Sequence, residues 1–433
     1  MKNLKSVFRR EVYVVDGCRT PFIRTGNKPN PLMASDLAVA AGKTLLARQS
    51  FKPTDIAEVI MGCVMPSGKE ANIARLIGLR LGTGDRVPAW TVARNCASGL
   101  QAIDCAAMSI SAGISELVLA GGTEAMSRAP LLFSEGFINW IADFKSSPTF
   151  QKKLLQIVKF KPQFLAPVIA LLQGLSDPLY NLSMGQTAEK LMYQFGISRV
   201  EADTYAAESH IRALRAQKEL GDELTPLFDY KGNVIEFDNG IRQDSTVERL
   251  AKLRPVFDKP FGQVTAGNSS QISDGAAMLL LASEAAVKKY NLPILGRIID
   301  VKWAALNPSI MGLGPVHAIS KLLQTNNLGL KDLDYWEINE AFAAQVLACR
   351  LALNNKEYCQ KELHVDQAYG ELELNRLNVE GGAIAIGHPV GASGARLVLH
   401  LLKILQKKSA KRGIASLCIG GGQGGAILLE SMS

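Results

Sequence analysis

The chain has 433 residues, 47% hydrophobic and 20% charged, with 48 Lys and Arg against 40 Asp and Glu and a formal net charge of +8. That length and balance fit a soluble globular protein of two or three packed units. The basic excess favours anionic partners such as phosphorylated cofactors or acidic lipid surfaces, but no basic stripe with interleaved aromatics points to nucleic acid.

Met1 to Arg10 is basic and runs straight into the strand-like Val12-Tyr13-Val14-Val15, leaving no room for a secretory apolar region. The seven cysteines contain no CxxC pair, and an odd count without a secretory signal predicts free thiols in a reduced, cytoplasmic setting. Trp90-Thr91-Val92-Ala93 reads as a buried strand. After Cys96, the stripe Leu100, Ile103, Ala107, Ile110 predicts an amphipathic helix, with Gly113 placed to end it. Glu116 to Ala120 is the next predicted strand and leads into Gly121-Gly122.

From about Ala129 to Arg254 this alternation breaks. The stretch is Lys-rich, holds the apolar run Phe164 to Leu175, and carries a helical pattern over Arg199 to Leu220. The apolar run is too short to span a bilayer and contains Pro167, so it predicts a buried or partner-facing helix. Lys152, Lys153, Lys159 and Lys161 beside it leave peripheral membrane contact through 152–178 as the alternative.

The C-terminal part repeats the earlier plan. Ala97-Ser98-Gly99 matches Ala392-Ser393-Gly394, and Leu117 to Gly122 matches Ser416 to Gly421. Ser98 to Gly121 spans 23 positions and Ser393 to Gly420 spans 27, so the second helix is expected to be about one turn longer. Asp55 to Ile60 is echoed by Asp332 to Glu337. Two duplicated α/β halves are therefore predicted: 1–128 with 255–292, and 293–433, with 129–254 as an inserted loop domain.

Four motifs carry candidate chemistry. Asn95-Cys96-Ala97-Ser98-Gly99 puts a thiol at a strand-to-helix junction, where a helix dipole is expected to depress its pKa. Gly381 to Gly394 holds His388 between Gly387 and Pro389, a fixed backbone suited to a base; the other four histidines have no comparable setting. Cys418-Ile419-Gly420-Gly421-Gly422 ends a predicted strand on a thiol and bare backbone N–H groups that can form an oxyanion hole. Asn339-Glu340-Ala341-Phe342 is either a site motif or a helix N-cap with a first-turn acid.

Together, and in this order, these motifs resemble the thiolase family over nearly the whole chain, as does Thr265 to Ser270 with Asp274 to Ala277. The resemblance implies the thiolase fold, two α/β halves layered α-β-α-β-α. It implies an enzyme that transfers acyl groups to and from coenzyme A, with Cys96 as the nucleophile and His388 as its base. Asn339 would hold a water beside His388, Cys418 would exchange the second proton, and the backbone N–H groups of Cys96 and Gly420 would form an oxyanion hole. Arg242, Ser270, Met184, Ala341 and Phe342 would line the coenzyme A and acyl site, with no metal and no cofactor beyond coenzyme A as substrate. A homodimeric core is implied. Ser183 stands where the short-chain biosynthetic type carries a histidine, and Lys152 to Pro178 resembles the β subunit of the fatty-acid oxidation complex. That implies 3-ketoacyl-CoA thiolysis beside a hydratase/dehydrogenase α subunit. A biosynthetic acetyl-CoA acetyltransferase is the first rival. A carrier-protein synthase and a non-catalytic lipid- or partner-binding scaffold are remoter ones.

Overall fold

The computed structural model describes residues 4–26 and 28–432, so Met1 to Asn3 of the basic leader lie outside it. Nine strands matter here: β1 (Val12–Arg19), β2 (Glu58–Gly62), β3 (Ala89–Val92), β4 (Leu117–Ala125), β5 (Ser273–Ser283), β6 (Gly296–Ala305), β7 (Tyr335–Ile338), β8 (Arg412–Ile419) and β9 (Gln423–Ser431). With the two-residue strand Ile23–Arg24 they form one ten-stranded sheet in the order β7-β8-β9-β6-β1-β5-β4-β2-β3. The seam is antiparallel, Tyr13 opposite Arg297 and Val14 opposite Gly296. Outward from it, β1-β5-β4-β2 on one side mirrors β6-β9-β8-β7 on the other, so the duplication read from sequence is built as two like halves.

The helices are α1 (Ala34–Ala47), α2 (Ser98–Ser111), α3 (Glu135–Ser146), α4 (Phe150–Val158), α5 (Met184–Phe195), α6 (Arg199–Ala216), α7 (Gly314–Asn326), α8 (Ala343–Asn354) and α9 (Val390–Lys407). Strand alternation sorts their partners into layers. In β5, Ala277, Leu279 and Leu281 face a core shared with α2 and α9, while Met278 and Leu280 face α1. In β9, Ile427 and Leu429 join the same middle core, while Ala426 and Leu428 face α7 and α8. Two helices therefore lie between two half-sheets, with further helices outside.

Leu100, Ile103, Ala107 and Ile110 are all buried in the middle core, and Gly113 follows the helix end at φ 74°. Each large apolar side chain sunk this way contributes about 1.5–3 kcal/mol. The equivalent helices have 14 and 18 residues, the extra turn expected from the repeat spacing. They cross at small residues: a Cβ on Gly99 would stand 2.8 Å from the Gly391 carbonyl oxygen, and one on Gly394 would stand 2.5 Å from the Leu100 nitrogen. That close approach brings the loops before both helices, one carrying Cys96 and the other His388, to one place.

Two expectations are corrected. The strand at Trp90 is not buried: β3 is an end strand paired only with β2, and Trp90 is exposed. Phe164 to Leu175 is not a buried helix either. Pro167 breaks it into a 3-10 turn, a two-residue strand and the short helix Ala170–Gly174, and no residue from 131 to 176 is buried. Here α3 and α4 form an arm held by its own aromatic cluster, in which Trp140 stacks on Phe137 and meets Phe160 edge-on at 5.0 Å between centroids. Among the described residues no helix is long and apolar enough to cross a membrane.

Candidate active site

Asn95 holds a left-handed backbone at φ 44°, which turns the chain sharply between β3 and α2 and leaves Cys96 half-buried at the bend. Ser98 stabilises this bend from within: its hydroxyl donates to the Asn95 carbonyl and accepts from the Arg94 N–H, each at 2.8 Å. The Asn95 side-chain amide then donates to the Gly420 carbonyl at 2.8 Å, tying the Cys96 loop to the turn after Cys418. Gly421 and Gly422 make that turn at φ 90° and 76°, conformations open to glycine.

The Cys96 thiol is pushed above its ordinary value, chiefly by burial; the Gly420 N–H and its own N–H pull the other way, and Glu124 adds to the rise. This corrects the expectation that the helix dipole depresses the pKa of the thiol. Loss of water at the sulfur outweighs the dipole, so Cys96 is a thiol that needs a base. Cys418 is raised still further, first by burial and then by the charge of a Cys96 thiolate, which places the two sulfurs within electrostatic reach.

His388 is held between Ser393 and Asn339. The Ser393 hydroxyl spends its one proton on the Pro389 carbonyl at 3.0 Å, and the His388 Nδ1 lies 2.6 Å from that oxygen. Nδ1–H must therefore donate to Ser393, leaving Nε2 with its lone pair. Burial first, and Arg396 second, lower His388 to about 4, so the ring is neutral near pH 7. The Asn339 Nδ2 approaches Nε2 at 3.3 Å, while the Asn339 Oδ1 is buried without a partner and suited to a water. Glu340 does not cap α8, whose N-cap is Phe342. It accepts instead from Tyr205, Ser209, Asn378 and the Ile384 N–H, fastening α6 to the loop that leads to His388.

The remaining predicted residues fall into two groups. The Met184 sulfur lies 3.3 Å from where a Gly420 Cβ would be, on the rim of the thiol site. Ser270 donates its N–H to the Ala341 carbonyl at 2.9 Å, Phe342 meets Phe257 edge-on, and the next carbonyl, of Gln271, accepts the His388 N–H at 3.0 Å. Arg242 stands apart. Its N–H donates to His210 Nδ1 at 3.1 Å, and its guanidinium, which forms no ion pair among the described residues, is lowered by burial and then by the charge of Arg24. Two arginines facing each other without a carboxylate suit a phosphate.

Sequence reading missed Ser393 as the partner of His388, although the Ala-Ser-Gly repeat had marked it. It also missed Asn95, visible only as a neighbour of Cys96, and Arg24, for which no sequence signal existed. The Gly420 N–H lies on the Cys96 sulfur, so both predicted oxyanion donors point into the same space.

The N-terminal thiolase domain model matches residues 12–285 and the C-terminal thiolase domain model residues 292–431. Human mitochondrial 3-ketoacyl-CoA thiolase is 39% identical over 429 residues, covering 98% of each chain. Its crystal structure in complex with CoA superposes with a TM-score of 0.83 at 38% identity, over 99% of this chain and 100% of that one. The bovine mitochondrial trifunctional enzyme subunit beta is 36% identical, over 98% of this chain and 88% of its own. An acetyl-CoA acetyltransferase of Allochromatium vinosum is 37% identical, over 97% and 99%. The chain belongs to the thiolase family.

Proposed function

We propose that the protein cleaves 3-ketoacyl-CoA with coenzyme A, releasing acetyl-CoA and an acyl-CoA shortened by two carbons. The observation that carries this is a neutral His388, its Nε2 facing the Asn339 amide at 3.3 Å, on a loop that packs against the one carrying Cys96, together with a half-buried and a buried thiol raised to different extents. His388 removes the Cys96 proton and the thiolate adds to the C3 ketone. The C2–C3 bond then breaks, its electron pair leaving as the acetyl-CoA enolate, which takes a proton from Cys418. The acyl group stays on Cys96 as a thioester. Cys418 next takes the proton of incoming coenzyme A, whose thiolate displaces Cys96 from the acyl carbon, and Cys96 recovers its proton from His388. The Cys96 and Gly420 N–H groups carry one oxyanion, and His388 with a water on Asn339 carries the other. Every proton and bond is accounted for without a metal or redox group. The Arg242–Arg24 pair supports coenzyme A binding at its phosphate-bearing end, Ser270, Ala341 and Phe342 support it along the pantetheine, and Met184 borders the acyl chain.

Ser183 supports the degradative rather than the biosynthetic type. It caps α5 and accepts from the Gln186 N–H, so no imidazole stands beside Met184. Acetyl-CoA release from 3-ketoacyl-CoAs of graded length tests both levels of this reading. Turnover is expected with 3-ketohexadecanoyl-CoA at a rate at least equal to acetoacetyl-CoA. A profile that peaks at acetoacetyl-CoA and vanishes at the long chain sinks the degradative assignment. The likeness to a trifunctional enzyme β subunit supports a hydratase/dehydrogenase α partner, and family membership supports a homodimeric core.

The same reading gives the arm a role, peripheral contact with an anionic lipid surface. Phe150, Leu155, Val158, Leu165 and Leu172 are exposed on it, and from Phe144 to Ser176 there are five lysines and no Asp or Glu. Apolar side chains ringed by cations match the interface of an acidic bilayer. The protein is expected to float with phosphatidylcholine vesicles containing about 30% phosphatidylserine, and to lose this with Lys152→Glu and Lys153→Glu. Equal recovery with neutral vesicles, or no flotation, removes the idea.

A further inference from the structure

Glu124 lies in β4 with no exposure, and the acyl-transfer steps above do not use it. Its carboxyl collects four donors. One oxygen accepts the Val64 N–H at 2.9 Å and the Gly391 N–H at 3.1 Å; the other accepts the Met65 N–H at 3.0 Å and the Cys63 thiol at 3.6 Å. Val64 and Met65 follow β2, whereas Gly391 is in the first turn of α9, three residues after His388. The carboxyl therefore joins three segments distant in sequence, one from the opposite half. Backbone crowding makes the join tight: a Cβ on Gly391 would stand 2.8 Å from a Glu124 oxygen and 3.2 Å from the Cys63 Cα. No Lys, Arg or His forms an ion pair with Glu124 among the described residues, and Cys63 is the titratable group in direct contact. Such a carboxyl is costly to bury and is retained here without a cation. Gly391, which Glu124 holds, packs in turn against Gly99, three residues after Cys96, so the carboxyl stands beside the Cys96 turn and its charge adds to the rise of that thiol.

We propose that Glu124 is a positioning residue for acyl transfer: it fastens the Val64–Met65 loop to the first turn of the helix that follows His388, and it sets a carboxyl against the turn that carries Cys96, where its charge acts on the nucleophile. The two roles are separable. The fastening needs the length of the glutamate side chain, since three backbone N–H groups from two segments converge on it. The charge effect needs only an anion at that point. Burial raises Glu124 to about 7, against the pull of the Val64 and Met65 N–H groups, so the charge itself appears and disappears near neutral pH. The active site thus contains a carboxyl that couples ambient pH to the reactivity of the nucleophile.

This inference rests on Cys96 being the nucleophile, and its test must not depend on that. Alkylation by iodoacetamide serves, because it reads Cys96 ionisation directly: the thiolate displaces iodide and forms an S–C bond, with no coenzyme A chemistry involved. Peptide mass spectrometry assigns the modified cysteine. In the wild-type protein, the logarithm of the Cys96 rate against pH is expected to rise with a slope below one around pH 7, where Glu124 ionises and opposes loss of the thiol proton. Glu124→Gln is expected to restore a slope of one and raise the rate at pH 8 about three- to tenfold. Glu124→Asp keeps the charge and shortens the reach, so its Cys96 rate stays near wild type while kcat for acyl transfer falls. A slope of one in the wild-type protein overturns the charge role even where neither variant folds. A Glu124→Asp enzyme with unaltered kcat overturns the fastening role. Should Cys96→Ala retain turnover while these alkylation results hold, the proposed function fails and the local effect of Glu124 stands.

Discussion

Cys96→Ala is expected to abolish thiolysis, with kcat reduced roughly 10^4- to 10^6-fold, the range seen when an enzyme nucleophile is removed. No other group is expected to take its place: Cys418 is more deeply buried and harder to ionise. Cys418→Ala should cost less, about 10^2- to 10^4-fold, because it removes a proton donor and acceptor rather than the covalent carrier. The two variants also differ in kind. Incubated with 3-ketoacyl-CoA and digested, the Cys418→Ala protein should yield an acylated Cys96 peptide, formed slowly and hydrolysed slowly. The Cys96→Ala protein should yield none. Unchanged turnover in Cys96→Ala, or acylation at another cysteine, removes the mechanism.

The pH behaviour of that step follows from the same environment. His388 is held at about 4, so it is already neutral well below neutral pH and does not limit kcat/KM from above. The sign is that of a base whose charged form is disfavoured by burial: activity is lost only on acidification through that low value.

Motifs of local origin were legible in the chain, and features made by distant residues were not. The helix after Cys96 was readable because its stripe of four apolar positions is a local period, and the Ala-Ser-Gly match marked its counterpart in the second half. The net effect on Cys96 was not readable. A dipole is implied by any strand-to-helix junction, whereas desolvation depends on what the other half places against the sulfur. The arm was misjudged for a related reason. Hydrophobicity predicts burial on average, but an apolar segment that finds no facing surface in its own chain stays exposed, and composition alone does not say which occurs. Glu340 shows the limit from the other side. Its motif was recognised, yet what it binds comes from Tyr205, Ser209 and Asn378, none of them near it in sequence.

The largest stability effect is expected at Arg19, which no motif marked. Its guanidinium is buried in β1, donates to both oxygens of Asp238 at 2.8 and 2.9 Å, and donates to Glu223 at 2.7 Å. Glu223 in turn meets His400 Nδ1 at 2.8 Å, so the long excursion between β4 and β5 is fastened to β1 and α9 by one buried charge network. Arg19→Met leaves two carboxylates out of water with a single imidazolium to serve them, and should cost about 3–5 kcal/mol, read as a lower urea midpoint. The pH dependence has a definite sign. Burial alone would lower His400, but Glu223 outweighs it and the folded value is raised above 6.5. This contribution is therefore complete below about pH 6.5 and fades as pH climbs through the raised value. Burial alone would raise Glu223, but His400 and Arg19 hold it well below its ordinary value, so its contribution is complete above about pH 4.5 and fades as pH falls below that. Wild-type stability should thus decline above about pH 6.5 by a component that His400→Gln removes. If His400→Gln shows the same alkaline decline as wild type, histidine is not the titrating member. If Arg19→Met unfolds at the wild-type urea midpoint, the network does not hold the excursion in place.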